Sequence, residues 1–164
     1  MTSSHGVNPP DEQSDSVRRV FTVEDSIVRL ARNVLFLRQG ELATIGRLPI
    51  ERLRSWPDLK SDRMILTHER LEHLLSRHPE TRHLLPHVLA TALDPDEIHR
   101  NRSDGEIAIF WRLLDNERNY YLRAAIWLPL KEELAASILS ARQTRHEDYA
   151  REGRQGRLVW KRGT

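Results

Sequence analysis

The chain changes its hydrophobic period at Asp94-Pro95-Asp96, and that switch constrains its fold more than any other feature. Before it, Leu84, Leu85, Val88, Leu89 and Ala92 recur at helical spacing, so Thr81 to Leu93 is predicted to be a helix. After it, Ile107 to Leu114, Asn119 to Leu128 and Leu134 to Thr144 read as strands. Asp115-Asn116-Glu117 reads as the first turn between them and Pro129 to Glu133 as the second. Helices followed by such a meander predict an α+β domain, with N-terminal helices packed on one face of an antiparallel meander sheet. Alternation places Tyr120, Leu122, Ala124, Ile126 and Leu128 on one face, and Tyr121, Arg123 and Trp127 on the other. In the third strand Ile138, Ser140, Arg142 and Thr144 are expected to share a face that grows more polar toward its end.

Upstream, Val20 to Val23 and Asn33 to Leu37 are short β-branched or aromatic runs. Gln39-Gly40 after the second predicts a hairpin into Glu41 to Leu48. Pro49 suits the first position of a short helix that Trp56-Pro57 stops. Arg63 to Leu66 reads as a strand leading into a helix capped by Thr67 and closed by Pro79. Residues 1–17 are polar and are expected to be a disordered tail; 18–164 form one domain. Beyond Arg145 the chain is charged and broken by glycine, with Leu158-Val159-Trp160 as a last edge strand.

Composition removes several classes of function. The 164 residues contain no cysteine, which excludes disulfides, thiolate metal sites and thiol nucleophiles. No apolar run approaches membrane-spanning length and no signal-peptide pattern opens the chain, so the expectation is a soluble cytoplasmic protein without a membrane partner, or one exported by a route that leaves no N-terminal mark. The formal net charge is only +2, but it is uneven: Met1 to Ser16 carry three acids and no Lys or Arg, whereas Ser140 to Thr164 carry seven bases against three acids. The basic end is the expected side for an anionic partner.

The chemistry-bearing residues cluster on the predicted helix Thr67 to His78. Leu71, Leu74 and Leu75 form its apolar stripe; His78 projects toward the middle of that stripe, and His73 and Arg77, four apart, sit on its flank. A core histidine and a solvated basic face are the plain alternatives. A zinc motif is a poor fit, because His68 and His73 are five apart, about 140° around a helix, rather than four.

Several of these stretches together carry a resemblance. Ile45-Gly46-Arg47-Leu48-Pro49, Met64-Ile65-Leu66 entering Glu72 to Pro79 with its His-x-x-x-Arg-His-Pro pattern, Leu93-Asp94-Pro95-Asp96 and the hairpin Tyr120 to Thr144 resemble the phage-borne members of the barnase/EndoU/colicin/RelE-like nuclease superfamily. The resemblance spans roughly residues 42–160. It implies a metal-independent endoribonuclease of toxin or phage type, cleaving by 2'-hydroxyl attack without a cofactor. RNA is the implied substrate, with tRNA and mRNA both open, and an immunity or antitoxin protein is a further implied partner. The positions that match are His73, Arg77 and His78, with Ser140 and Thr144 both open as the strand hydroxyl.

Cleaving RNA without metal requires a base, an acid and donors that stabilise a phosphorane. His73 or His78 with Arg112, Arg123 or Arg142 would supply these, and Tyr121 and Trp127 would either stack on bases or only cover the sheet. A non-catalytic RNA- or protein-binding module of the same fold is the alternative, and a phage structural domain is the third reading.

Overall fold

The computed structural model describes residues 23–115, 120–131, 135–154 and 157–163. The helices are α1 (Asp25–Leu35), α2 (His68–Arg77), α3 (Leu85–Leu93) and α4 (His146–Arg154), with single 3₁₀ turns at Ile50–Arg52 and Pro79–Arg82. The strands are β1 (Leu42–Arg47), β2 (Arg63–Thr67), β3 (Glu97–Arg100), β4 (Ile107–Asp115), β5 (Tyr120–Trp127), β6 (Ala136–Arg145) and β7 (Leu158–Lys161). All seven strands join one sheet in the order β1-β2-β6-β5-β4-β3-β7. The class is α+β, and the expected meander β4-β5-β6 lies in its middle. The sheet is mixed rather than purely antiparallel, because β2 pairs parallel to β6 through Met64 and Ile65.

The main core lies on one face. Leu122, Ala124 and Ile126 of β5, Ala108 and Phe110 of β4, and Ile138 and Ala141 of β6 pack against Leu71 and Leu74 of α2 and Leu85, Val88 and Leu89 of α3. α1 reaches the same core through Ala31 and Val34. The Thr67 hydroxyl caps α2 as expected, accepting from the Arg70 backbone N–H at 3.1 Å. A second, smaller cluster of Ile109, Trp111 and Ala125 occupies the opposite face, with Tyr121, Leu139 and Tyr149 packed on it. Tyr149 belongs to α4, so the helices are not all on one side of the sheet: three cover the main core and the last lies across the other face.

Several expectations are corrected. Asn33 to Leu37 is not a strand; Asn33 to Leu35 end α1, whose Ile27, Leu30, Ala31 and Val34 recur at helical spacing. The segment after Pro49 forms only the 3₁₀ turn Ile50–Arg52. The helix predicted over Thr81 to Leu93 is split, with Pro79–Arg82 tightening into a 3₁₀ turn before α3 begins at Leu85. β3 and α4 were not expected at all. Ile138 does not share a face with Ser140, because the β5–β6 register jumps from Ala125↔Ser140 to Ile126↔Ile138 and leaves Leu139 as a bulge. A second irregularity falls at Ile45 in β1, followed by Gly46 at φ +151°. A Cβ at Gly46 would stand 2.5 Å from the Leu93 Cδ2 methyl, which would have to move, and the backbone at φ +151° is itself strained for an L side chain, so the position favours glycine.

The expected N-terminal tail, residues 20–22 of the Val20 to Val23 run, and the turn residues Asn116, Glu117, Glu132 and Glu133 lie outside the described residues. Among the described residues no helix is long and apolar enough to cross a membrane.

Candidate functional site

The face beneath α4 carries an ordered row of side chains. Register pairs Lys161 with Glu97, Glu97 with Trp111, Trp111 with Arg123, and Arg123 with Arg142. Five strands therefore contribute one residue each to a line about 19 Å long, at the usual strand spacing. Next to it, His99, Ile109, Ala125 and Ser140 make a parallel row; on the other side Leu113, Tyr121 and Thr144 make another. Like charges directly opposite each other across a sheet are destabilising, so the Arg123–Arg142 pair is a feature the fold holds against its own electrostatics.

Glu97 and His99 are the buried polar pair of this face, at 6% and 1% exposure. His99 Nε2 lies 3.4 Å from Glu97 Oε2, the Tyr149 hydroxyl donates to the same carboxylate, and Lys161 Nζ stands 3.6 Å from Glu97 Oε1. Burial pushes the Glu97 carboxyl up, but the hydrogen bonds from His99 and Tyr149 outweigh it and hold it below the usual range. Burial and its bond to Glu97 push the Tyr149 phenol well above its ordinary value. Among the described residues, His99 Nδ1 and Trp111 Nε1 are buried without a hydrogen-bond partner. A buried unpaired donor or acceptor costs about 1–3 kcal/mol, so their presence together on one face requires explanation.

Aromatic rings wall the site. Tyr149 stacks on Tyr121 with centroids 4.2 Å apart and planes 8° from parallel, and meets Trp111 edge-on at 5.4 Å. The Arg123 guanidinium lies 5.8 Å from the Trp111 ring centroid, and its Nε donates to Glu152 Oε1 at 3.2 Å. Burial lowers the Arg123 pKa; Glu152 opposes that, while Arg142 and Arg157 add to it. A cavity of about 340 Å³ opens beside Glu97 between Trp111, Tyr121 and Tyr149, with Lys161 and Arg162 on its rim. A larger depression of about 490 Å³ lies between Leu53, Trp56 and Lys60, but no histidine faces it. Among the described residues no three His, Cys, Asp or Glu side chains are grouped to hold a metal ion.

The residues singled out from the sequence divide between the two faces. Tyr121, Arg123, Arg142, Ser140 and Thr144 share the α4 side; Thr144 is buried opposite Tyr121, and Ser140 is half-buried two positions from Arg142. Trp127 is on that side too, but four residues along β5 from Arg123, about 13 Å away. His73 and Arg77 are exposed on α2, on the other side of the sheet. His78 does not project into the leucine stripe: it is the C-cap of α2, at φ −136° and ψ 79°, with Nδ1 3.4 Å from Glu80 Oε1. Pro79 forces that departure from helical geometry. The three helical positions therefore do not meet the Arg123–Arg142 pair.

Arg112 is also committed elsewhere. Its Nη1 donates to the Asp94 carbonyl at 2.7 Å, part of a cluster in which Asp94 takes Arg52 at 2.7 Å and Arg162 at 2.6 Å, and Asp96 takes Arg162 at 3.0 Å. The Asp-Pro-Asp break thus clamps the 3₁₀ turn, β4 and the end of β7 together. Glu97, His99, Trp111, Tyr149 and Glu152 escaped the sequence reading. Their only signal was the alternation in Glu97-Ile98-His99, where Ile98 enters the core and its neighbours face the other way.

Comparison of the chain with protein-family models, with curated proteins and with solved structures gave no match.

Proposed function

We propose that the chain is a metal-independent endoribonuclease whose RNA strand lies along the α4 face of the sheet. The observation that carries this reading is the registered row Glu97–Trp111–Arg123–Arg142 with His99 beside it. It brings a carboxylate, an imidazole, two guanidiniums and an aromatic wall onto one surface, and these are the groups that metal-free phosphodiester cleavage needs. The sequence resemblance to the barnase/EndoU/colicin/RelE-like superfamily supports the same class, and with it a toxin-type or phage-associated enzyme with an immunity partner.

In this reading Arg123 and Arg142 hold the scissile phosphate, Arg's planar fork matching its oxygens. Glu97, kept ionised by its partners, takes the 2'-hydroxyl proton as the 2'-oxygen attacks phosphorus. The bond to the 5'-oxygen breaks, His99 protonates that leaving oxygen, and the products are a 2',3'-cyclic phosphate and a free 5'-hydroxyl. Tyr121, half-buried at the edge of the aromatic cluster, stacks on a flanking base, worth about 1–3 kcal/mol.

Single-turnover cleavage of a mixed-sequence RNA by wild type, Glu97→Gln and His99→Gln tests the assignment. Each variant should cleave about 10²- to 10⁴-fold more slowly with little change in affinity. Variants that fold and cleave like wild type would remove these residues from the mechanism. The near-complete burial of His99 favours one second reading, a binding module of the same fold. RNA bound by wild type in a salt-dependent way but never cut would select it.

A further inference from the structure

Among the described residues, the polar contacts of α4 with the face beneath it fall on groups assigned above to RNA: Arg123, Tyr121 and Glu97. Glu152 places a carboxylate on Arg123, and Tyr149 lays its ring flat on Tyr121 while its hydroxyl donates to Glu97. The Arg123 and Glu152 side chains are only 18% and 17% exposed, so this pair displaces solvent from the phosphate-holding cation. We propose that α4 is an internal competitor of the RNA strand, with Glu152 standing where a phosphate would bind and Tyr149 where a base would stack. The inference rests on reading this face as the RNA site, and it gives that site a form of regulation.

Two further observations fit a closed state. His99 Nδ1 and Trp111 Nε1 lie under the helix without partners, as expected of polar atoms whose partner belongs to an occupant that α4 displaces. The rest of α4 contributes little to hold it down: of its described residues only Tyr149 is packed on the apolar cluster of this face, Glu147 is exposed, and the exposed His146 reaches back only to Tyr121, with Nδ1 3.4 Å from its hydroxyl. A helix held mainly by contacts to Arg123, Tyr121 and Glu97 exchanges with a substrate that offers the same groups their partners.

The test uses the full chain and a 5'-labelled single-stranded RNA of mixed sequence. Fluorescence anisotropy should show Glu152→Gln binding about tenfold more tightly than wild type. Glu147→Gln removes the same charge from an exposed position of the same helix and should change affinity less than twofold. Hydrogen exchange on wild type should show the α4 amides exchanging faster with RNA bound than without, because the strand lifts the helix. This second measurement decides the matter even if Glu152→Gln proves unstable.

Equal affinities for Glu152→Gln and Glu147→Gln with α4 more protected in the complex would overturn the competitor and leave the RNA site standing. Absence of RNA binding by wild type and Glu152→Gln alike would overturn both.

Discussion

Replacing Arg142 by Ala should move stability and RNA binding in opposite directions. Arg142 is exposed and sits directly opposite Arg123, which is itself half-buried. Like charges so placed cost about 0.2–1 kcal/mol, and the exposure of Arg142 sets the value near the lower end. Removing it should therefore leave the fold unchanged or stabilise it by a few tenths of a kcal/mol, a rise of about 1 °C in a chain of this size. The same change deletes one phosphate contact, so the slope of log K against log salt for single-stranded RNA should flatten by about 0.7. Arg123→Ala separates the two effects: it flattens the slope similarly but strands Glu152 in a half-buried position, costing about 1–3 kcal/mol. Thermal unfolding followed by circular dichroism, with anisotropy titrations at several salt concentrations, reads both quantities. An Arg142→Ala protein destabilised by more than 1 kcal/mol, or one whose salt slope equals wild type, would refute the assignment of this pair to phosphate.

The other expectations are simpler to state. Gly46→Ala should cost about 1–3 kcal/mol in urea unfolding, because φ +151° is strained for any L side chain and the new methyl meets Leu93; an unchanged midpoint would show that the bulge relaxes freely. Burial pushes the Asp94 carboxyl up, but Arg162 and Arg52 outweigh it and hold it below its ordinary 3.8. Its contribution is therefore complete above the unfolded value and is lost as pH falls through the lower folded one. The urea midpoints of wild type and Asp94→Asn should accordingly differ most near neutral pH and converge below about pH 4. RNA cleavage should survive EDTA; loss of activity restored by zinc or magnesium would mean that the chemistry is different.

The parts of this fold that could be read from the sequence are those whose pattern is long. Tyr120 to Leu128 alternates over a full strand, so its two faces, and with them Tyr121 and Arg123, are legible in the sequence. The Thr67 cap and the Leu71–Leu74 stripe were legible for the same reason. β3 was hidden because four residues hold too little alternation to outweigh the Asp-Pro-Asp break before it, and Glu97 and His99 sit on it. α4 was hidden because Tyr149 is the one aromatic anchor in a charged helix. The histidines of α2 drew attention by being adjacent in sequence, yet a helix shares its contents between a buried stripe and solvent. His73 fell to solvent, and Pro79 turned His78 off the helix. Proximity along a chain is weaker evidence for a site than a shared face of one sheet.

The parallel seam between β2 and β6 divides the sheet more sharply than its continuous strand order suggests. Only Met64↔Ala136 and Ile65↔Ser137 register across it, whereas the antiparallel pairs β5–β6 and β4–β5 register over eight residue pairs each. Such a joint is where a domain separates into cooperative units, and the β1–β2 hairpin should open at a lower free energy than the five strands beyond it. Every residue of the Lys161–Arg142 row lies within those five strands. The hairpin should therefore breathe, or accept substitutions, at the expense of global stability alone, while the proposed RNA surface keeps its geometry.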